Sequence, residues 1–348
     1  MTKINKIIVS LLASFAITTS AFAGELTVTG TAKATYGTLG GHATGDNGLG
    51  VANELTFGAN GELDNGWTWN YAMEIDPGTG ATTNSHNDDT QMSLTTPYGS
   101  VAVCISECSL GGALKWSANA YSVPTDTGYG EGKTEPTNIS GYNNMQYHTP
   151  AGLLPYSVQF KAAYAPSGSV TMQSTNASSV ARSATVSSMT QYSATAVPVD
   201  GAYVHVSYGE QDGGIASGLT DAQAYEAGTV AGTYAYGAFT VGAGRSWISP
   251  QIATGYTGAT AVESYENTNY SVGYLFNDNL SLSVSREKSV PDTMTPGVVV
   301  YEQKTTGIQA AYTMGGMTVA LARAKYDNAS YLNSDDVTEH ILAVTMAF

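Results

Sequence analysis

The sequence predicts an all-β protein, a transmembrane antiparallel β-barrel of about sixteen strands. Apolar and polar residues alternate along many short segments, which is typical of strands with one apolar face. Charged residues are only 12% of the chain, against about 25% in ordinary soluble domains. After residue 23 no apolar run is long enough for a membrane helix. A closed barrel pairs every backbone group in lipid without needing continuous apolar segments.

Residues 1–23 have the pattern of a secretory signal peptide. Lys3 and Lys6 precede an apolar run, and Ala21-Phe22-Ala23 is a small-x-small cleavage site. We expect residues 24–348 to form one barrel domain. The formal net charge of −15 becomes −17 once the two lysines are removed. Such a charge argues against nucleic acid as a partner.

The first strands are predicted by alternation and by one hairpin signal. Leu26, Val28, Ala32, Ala34 and Tyr36 alternate with threonines and Lys33. A second alternating run ends at ELDNG, in which Asp64-Asn65-Gly66 favours a tight turn. The following run, WTWNYAMEI, has its large apolar residues on one parity. The sequence therefore predicts a hairpin centred on Gly66.

The rest of the chain repeats this pattern. Short turns are predicted between successive alternating runs, at Pro97–Gly99, Pro150–Pro155, Val197–Gly201, near Gly237, at Asn277–Asn279 and at Met314–Gly316. Longer polar connections separate the resulting hairpins. Short turns at one end and long loops at the other are typical of outer-membrane barrels.

A soluble β-sandwich also shows alternation, but it does not explain where the aromatic residues lie. Aromatic residues cluster beside the short turns, at Trp67, Tyr98, Tyr147, Tyr156, Tyr236, Phe239, Phe276, Tyr312 and Phe348. A barrel needs such a girdle at the membrane interface. The final run, HILAVTMAF, alternates up to Phe348. We expect it to pair with Leu26–Tyr36, because closure removes both sheet edges.

Four segments resemble one family, the trimeric sixteen-stranded general porins of Gram-negative bacteria. They are GELTVTGTAKATYG, ELDNGWTWNYAMEI, TPYGSVAV and the terminal LAVTMAF. The resemblance implies a homotrimer in the outer membrane, in contact with its lipid. It also implies passive passage of small hydrophilic solutes and ions, and a long third loop folded into the lumen. The terminal strand is similar to the signal that the barrel assembly machinery reads.

Alternation also predicts which charged residues face the lumen. By parity these are Lys33, Glu54, Glu62, Glu74, Lys161 and His205, with Lys33 and Lys161 near mid-height. On the resemblance, residues 107–140 form the inward loop, and a pore constriction takes its charges from there. The loop carries Glu107, Lys115, Asp126, Glu131, Lys133 and Glu135. The loop acids predict a weak preference for cations, while the wall departs from the family's basic pattern.

Cys104 and Cys108 lie at the entry to this loop. In an oxidising compartment they form a small disulfide if the backbone brings them within reach. A zinc site needs more ligands at suitable spacing. No catalytic signature, cofactor motif or metal-ligand spacing is recognised. The sequence therefore favours a general diffusion channel over two alternatives, a substrate-specific channel and, less favoured, an outer-membrane barrel enzyme.

Overall fold

The structure is a computed structural model that describes residues 26–41, 47–75, 88–105, 134–150, 152–166, 188–212, 221–253 and 262–348. Eighteen strands lie in these ranges: β1 Leu26–Gly41, β2 Gly48–Glu62, β3 Thr68–Ile75, β4 Asp88–Thr96, β5 Gly99–Ile105, β6 Asn144–His148, β7 Gln159–Ala165, β8 Ser188–Ala196, β9 Ala202–Asp212, β10 Asp221–Gln223, β11 Tyr225–Tyr236, β12 Phe239–Ser249, β13 Ile252–Ala253, β14 Val262–Leu275, β15 Leu280–Thr293, β16 Gln303–Met314, β17 Met317–Asp327 and β18 Val337–Ala347.

Sixteen of these strands close into one antiparallel barrel, and each pairs with the next barrel strand along the chain. β1 pairs with both β2 and β18, in a register that runs from Thr31 opposite Ala347 to Gly41 opposite Val337. The predicted fold and the predicted closure by the last strand are both confirmed. Closure leaves no open sheet edge in the lipid.

The short turns lie at one end of the barrel, as predicted. Gly66 has a φ of 78°, and its N–H donates to the carbonyl oxygen of Leu63 (2.8 Å). At the turn between β14 and β15, the Asn277 side-chain oxygen accepts from the N–H groups of Asn279 and Leu280 (both 2.9 Å). Side-chain acceptors of this kind stabilise turns without tertiary help.

The turn between β6 and β7 differs from the prediction. The sequence pattern placed Tyr156 and Val158 in a strand, but residues Pro155–Ser157 form a 3-10 turn and β7 begins at Gln159. Tyr156 has a φ of 59° there, and the N–H of Val158 donates to the carbonyl oxygen of Pro155 (3.3 Å). Parity alone does not detect a left-handed residue, because alternation concerns side-chain type and not backbone conformation.

The two faces of the wall differ as alternation predicts. Outward side chains are large and apolar; they include Val28, Tyr36, Met92, Tyr192, Val230, Tyr270, Val284, Ile308 and Leu321, each at least 40% exposed. Inward side chains are mostly polar and small. In the girdle, Tyr98, Tyr156, Tyr236 and Phe348 are more than 65% exposed beside the short turns. These exposed rings are in a position to meet the membrane interface.

A small feature at the opposite end was not predicted. β10 and β13 form a separate two-stranded sheet beside the barrel strands β9 to β14. The Gln223 side-chain amide donates to the carbonyl oxygens of Pro250 (2.7 Å) and Glu263 (2.9 Å), so it joins two long connections. Within the part of the chain described here, no helix is both long and apolar enough to cross a membrane.

Candidate functional site

The inner wall from β8 to β16 carries a continuous row of small polar side chains. Each residue of this row is directly opposite the next one on the neighbouring strand. We call this the polar row: Ser193, Ser207, Thr229, Ser246, Asn267, Ser289 and Gln303. His148 and Lys161 continue it on β6 and β7. Every polar-row side chain except Ser207 is less than 10% exposed, so the row is a buried polar layer of the wall.

Residues 134–143 lie inside the barrel; we call them the inward segment. They belong to the connection between β5 and β6. Ile139 is fully buried and packs against Ala163 and Ala165 of β7 and Met189 of β8. All three of these residues are on the inner face of β7 and β8, which pair with each other. Burial of an isoleucine side chain contributes roughly 1.5–3 kcal/mol.

Hydrogen bonds attach the inward segment to strands far apart in sequence. The Ile139 N–H donates to Gln191 Oε1 (2.9 Å), and the Thr137 N–H donates to the Tyr225 hydroxyl (2.6 Å). The Asn267 amide donates to the carbonyl oxygen of Thr134 (3.0 Å). Each such bond contributes about 1 kcal/mol net. The segment therefore follows the wall from β14 to β7 as a fixed part of the lumen.

Tyr331 anchors the far end of the segment. Its hydroxyl accepts from the Thr134 N–H (2.8 Å) and lies 2.7 Å from Ser289 Oγ. Burial raises the pKa of the Tyr331 phenol. The phenol is therefore protonated at neutral pH, and its hydrogen can be donated to Ser289. The resemblance implied a loop folded into the lumen, and the described part of that loop is there.

The predicted wall charges on β1–β3 face the lumen together. Thr31 donates to Glu54 Oε2 (3.3 Å), and Thr56 donates to Glu74 Oε2 (3.1 Å). Lys33 lies one inward position beyond Thr31 on β1, at the middle of that strand. These side chains are half-buried on the arc of the wall formed by β1–β3. The contacts described above for the inward segment are with β7, β8, β11 and β14.

The other predicted site residues lie apart from that arc. Lys161 is the third of the seven residues of β7, next to the middle of that strand, and its position at mid-height of the barrel stays a prediction. His205 faces inward but is only 5% exposed, so contact with a passing solute would need a rearrangement. Glu135, on the inward segment, is exposed. The remaining predicted loop residues lie outside the described residues: Glu107, Lys115, Asp126, Glu131 and Lys133.

The sequence reasoning missed two inward acids, Glu287 and Glu339. Glu287 of β15 and Glu339 of β18 are on the inner face and are 7% and 5% exposed. The Tyr326 hydroxyl donates to Glu339 Oε2 (3.1 Å). Parity was a sufficient signal for both, since each is next to an outward residue, Arg286 or His340. Because both side chains are buried, they take part in hydrogen bonding within the wall more than they add charge to the surface that faces the solvent.

Cys104 is buried on the inner face of β5 and is disulfide-bonded. Cys108 lies outside the described residues, and the pairing of Cys104 with Cys108 stays a prediction. Among the residues that the structure describes, no group of three or more His, Cys, Asp or Glu side chains is arranged to hold a metal ion.

Comparison with known proteins gives a family and a set of similar folds. The family model described as Gram-negative porin matches residues 9–347. An anion-selective porin from Comamonas acidovorans has a TM-score of 0.65 at 12% identity, covering 93% of this chain and 100% of that one. A loop-deletion mutant of the outer-membrane protein OmpT of Vibrio cholerae has a TM-score of 0.67 at 14% identity (94% and 100% covered). Salmonella typhi OmpF, in complex with daunomycin, has a TM-score of 0.64 at 14% identity (93% and 98% covered). No curated protein matches.

Proposed function

Because the chain belongs to the Gram-negative porin family of outer-membrane channels, we propose that it is a general diffusion porin for small hydrophilic solutes and ions. The observation that best supports this function is the inward segment, which is hydrogen-bonded to polar side chains of the inner wall. A fixed obstruction narrows a wide barrel without needing a moving gate. The barrel supplies the water-filled path, and the segment limits the size of the solute.

The composition of the wall favours general diffusion over a substrate-specific channel. Among the described inner-wall side chains that are only half-buried, Lys33, Glu54 and Glu74 lie on separate strands and differ in charge. A specific site needs a small number of convergent groups around one ligand shape. Catalysis is the least supported alternative, because it needs a nucleophile or a general base held by a partner. We therefore assign no catalytic residue, cofactor or metal to this channel.

A weak cation preference is the second part of the proposal. The described inner wall carries Glu54, Glu62 and Glu74 with Lys33 on β1–β3, and Lys161 on β7. Glu135 adds an exposed acid from the inward segment. In a narrow opening these charges are screened less than surface charges, since the Debye length at physiological salt is about 8 Å. Carboxylates around a pore favour cations.

Planar-bilayer recording tests these statements separately. We expect stepwise, ohmic conductance and a reversal potential under a KCl gradient that has the sign of weak cation selectivity. Absence of conductance from folded protein would contradict the channel itself. Liposome swelling with neutral sugars of increasing size distinguishes the two channel types. Uptake of one sugar that saturates at low concentration would favour the substrate-specific alternative.

The proposal includes a homotrimer that the barrel assembly machinery inserts after removal of residues 1–23. Outward residues on β1 and β2 include Leu26, Val28, Leu49 and Val51, which are 54–86% exposed. Contact with neighbouring copies would bury part of this face. The last strand completes the barrel at β1, as an assembly signal requires. Cross-linking in mild detergent tests the trimer, and N-terminal sequencing of outer-membrane protein tests cleavage after Ala23.

A further inference from the structure

The polar row contains buried hydrogen-bonding atoms that have no protein partner. In the part of the chain that the structure describes, eight buried side-chain nitrogen and oxygen atoms form no hydrogen bond. An unmet buried polar atom destabilises a fold, and most such atoms in proteins are bound by protein or by ordered water. The eight atoms belong to five members of the row and to two residues one inward position away from it: Ser193, Ser207, Thr229, Asn267 and Gln303, with Gln191 and Asn269.

Three of these atoms are hydroxyl oxygens on consecutive strands of the barrel. Ser193 of β8 is directly opposite Ser207 of β9, which is directly opposite Thr229 of β11. Side chains on the same face of paired strands are about 5 Å apart. That distance is too long for a direct hydrogen bond, but it is the span of two hydrogen bonds that meet at one water molecule. One water between each pair would therefore bind both hydroxyl groups.

Two of the unmet atoms are on the amide groups that hold the inward segment. Gln191 Oε1 accepts from the Ile139 N–H (2.9 Å), while Gln191 Nε2 has no partner. Asn267 Nδ2 donates to the carbonyl oxygen of Thr134 (3.0 Å) and to Ser246 Oγ (3.2 Å), while Asn267 Oδ1 has no partner. Half a turn of either amide would exchange its two ends and break the bond to the segment. A ligand on the unmet atom would hold the amide in its observed orientation.

Glycines lie directly opposite two of the unmet amides. Gln191 is opposite Gly209 on β9, and Asn269 is opposite Gly244 on β12. Neither amide therefore has a side chain directly opposite it on that strand to act as a partner. A buried water in such a place binds polar groups that no side chain reaches.

The row is inclined to the plane of the membrane, because the strands of such a barrel are tilted by about 35–45°. Ser193 lies three residues from the short-turn end of β8 at Ala196, and Gln303 lies eleven residues from the short-turn end of β16 at Met314. This difference corresponds to about 20 Å along the barrel axis, whereas the apolar band of such barrels is about 25 Å tall. Lipid faces the other side of the wall at these levels, so the unmet atoms must be bound from within the barrel.

We propose that the polar row binds a file of ordered water molecules, which bridge neighbouring strands and fix the amides of Gln191 and Asn267. Three of the eight unmet atoms are amide nitrogens, which donate, and the other five are oxygens. Water both donates and accepts, whereas a metal ion or an anion satisfies only one of these two kinds. At about three hydrogen bonds for each buried water, the eight atoms need at least about three waters. Binding of water rests on the wall alone, and its effect on the inward segment rests on the proposed function.

The first test is a crystal structure of the wild-type protein at a resolution that shows ordered water. We expect water within hydrogen-bonding distance of Ser193 Oγ, Ser207 Oγ and Thr229 Oγ1, and beside Gln191 Nε2 and Asn267 Oδ1. A row without such water in a well-ordered wall would overturn the proposal. A metal ion or an anion in the density at these atoms would overturn it as well.

The second test uses the sign of a change in stability. Thr229→Val replaces the hydroxyl by a methyl group of the same shape. If Thr229 Oγ1 binds bridging water, the melting temperature should fall by about 2 °C or more. If the hydroxyl has no partner at all, the substitution removes an unmet polar atom, and a higher melting temperature would overturn the proposal. Thr68→Val is the matched control, because Thr68 is exposed on the inner face of β3, and it should leave the melting temperature unchanged.

The third test concerns the inward segment. Ser193→Ala with Ser207→Ala removes the two hydroxyls nearest Gln191, and we expect more open-channel noise in planar bilayers than in the wild type. Unchanged noise would overturn the role of the water in holding the segment. Absence of conductance from folded wild type would contradict the channel and not the water site, which the density and Thr229→Val decide. If Thr229→Val does not fold, Thr229→Ser should keep the waters, and their loss in that variant would overturn the proposal.

Discussion

Gly30 and Phe348 are joined across the barrel seam by two backbone hydrogen bonds, and the Phe348 ring fills the space where a side chain at position 30 would be. The Gly30 N–H donates to the carbonyl oxygen of Phe348 (2.8 Å), and the Phe348 N–H donates to that of Gly30 (2.9 Å). A Cβ at Gly30 would be 2.7 Å from the ring and 2.9 Å from the backbone oxygen of Glu54. The pair thus extends the β1–β18 ladder by one step.

Substitution at either residue should weaken closure of the barrel. We expect Phe348→Asp to reduce the yield of folded protein in the outer membrane, because a charge replaces the ring at the lipid boundary. Gly30→Val should also reduce it, since the backbone of Glu54 cannot move aside as a ring can. Heat-modifiable mobility on gels measures the folded fraction. Gly37→Val is the matched control, because a Cβ at Gly37 meets nothing within 4 Å; an equal loss there would show that the close contact at Gly30 is unimportant.

Removing the tyrosine hydroxyls that hold the inward segment should loosen the constriction. Tyr225→Phe with Tyr331→Phe leaves the N–H groups of Thr137 and Thr134 without these acceptors. We expect larger open-channel noise and higher mean conductance, because about 1 kcal/mol is lost for each bond. Tyr270→Phe, on the outer face and 62% exposed, is the control. Unchanged noise in the double variant would mean that other contacts alone hold the segment.

Ion selectivity should depend on the lumen acids. We expect Glu54→Gln with Glu74→Gln to lower the potassium-to-chloride permeability ratio, and Lys33→Gln with Lys161→Gln to raise it, measured as reversal potentials under a KCl gradient. Glu210→Gln with Glu226→Gln changes the net charge equally on the outer face and should leave the ratio unchanged.

Neutralising Asp126, Glu131 and Glu135 together tests the loop contribution to selectivity. A lower potassium-to-chloride permeability ratio would support a constriction formed by these residues. An unchanged ratio would indicate that residues of the barrel wall form the constriction. An anion-preferring wild type would contradict the proposed selectivity.

Glu302 forms ion pairs with Lys288 and Lys304; we call this group the Glu302 clamp. It should make local stability depend on pH. Hydrogen bonds from Lys288 and Lys304 lower the pKa of the Glu302 carboxyl below its ordinary value of 4.5. The stabilisation that the ionised Glu302 carboxylate provides is therefore complete above pH 4.5, and it is lost as the pH falls through the lowered pKa. The clamp is largely solvent-exposed, so we expect less than about 1 kcal/mol. Hydrogen exchange of residues 294–302 should be faster in Glu302→Gln than in the wild type at pH 7, with the difference disappearing at low pH. A constant difference across this range would exclude the carboxylate as the cause.

Alternation was sufficient to predict much of the candidate site. Lys33, Glu54 and Glu74 face the lumen because their neighbours on β1–β3 alternate strictly, and the side-chain period of a strand is two. The same rule also identifies Glu287 and Glu339. It failed at Tyr156, whose left-handed backbone ends the alternation without changing residue type.

The sequence by itself determined the closed barrel, its membrane environment, the two faces of its wall and the pairing of the last strand with the first. Those properties follow from local periodicity and from the requirement that every backbone group in lipid be paired. Only the tertiary structure decided that Ile139 packs on Ala163 and Met189, and that Tyr331 accepts a hydrogen bond from Thr134. Only the register of β15 to β17 placed Arg286 opposite Thr306 and Arg323 opposite Ile308. Periodicity determines which way a side chain points, whereas its neighbours on other strands depend on register, which is set jointly by all the turns and pairings of the closed sheet.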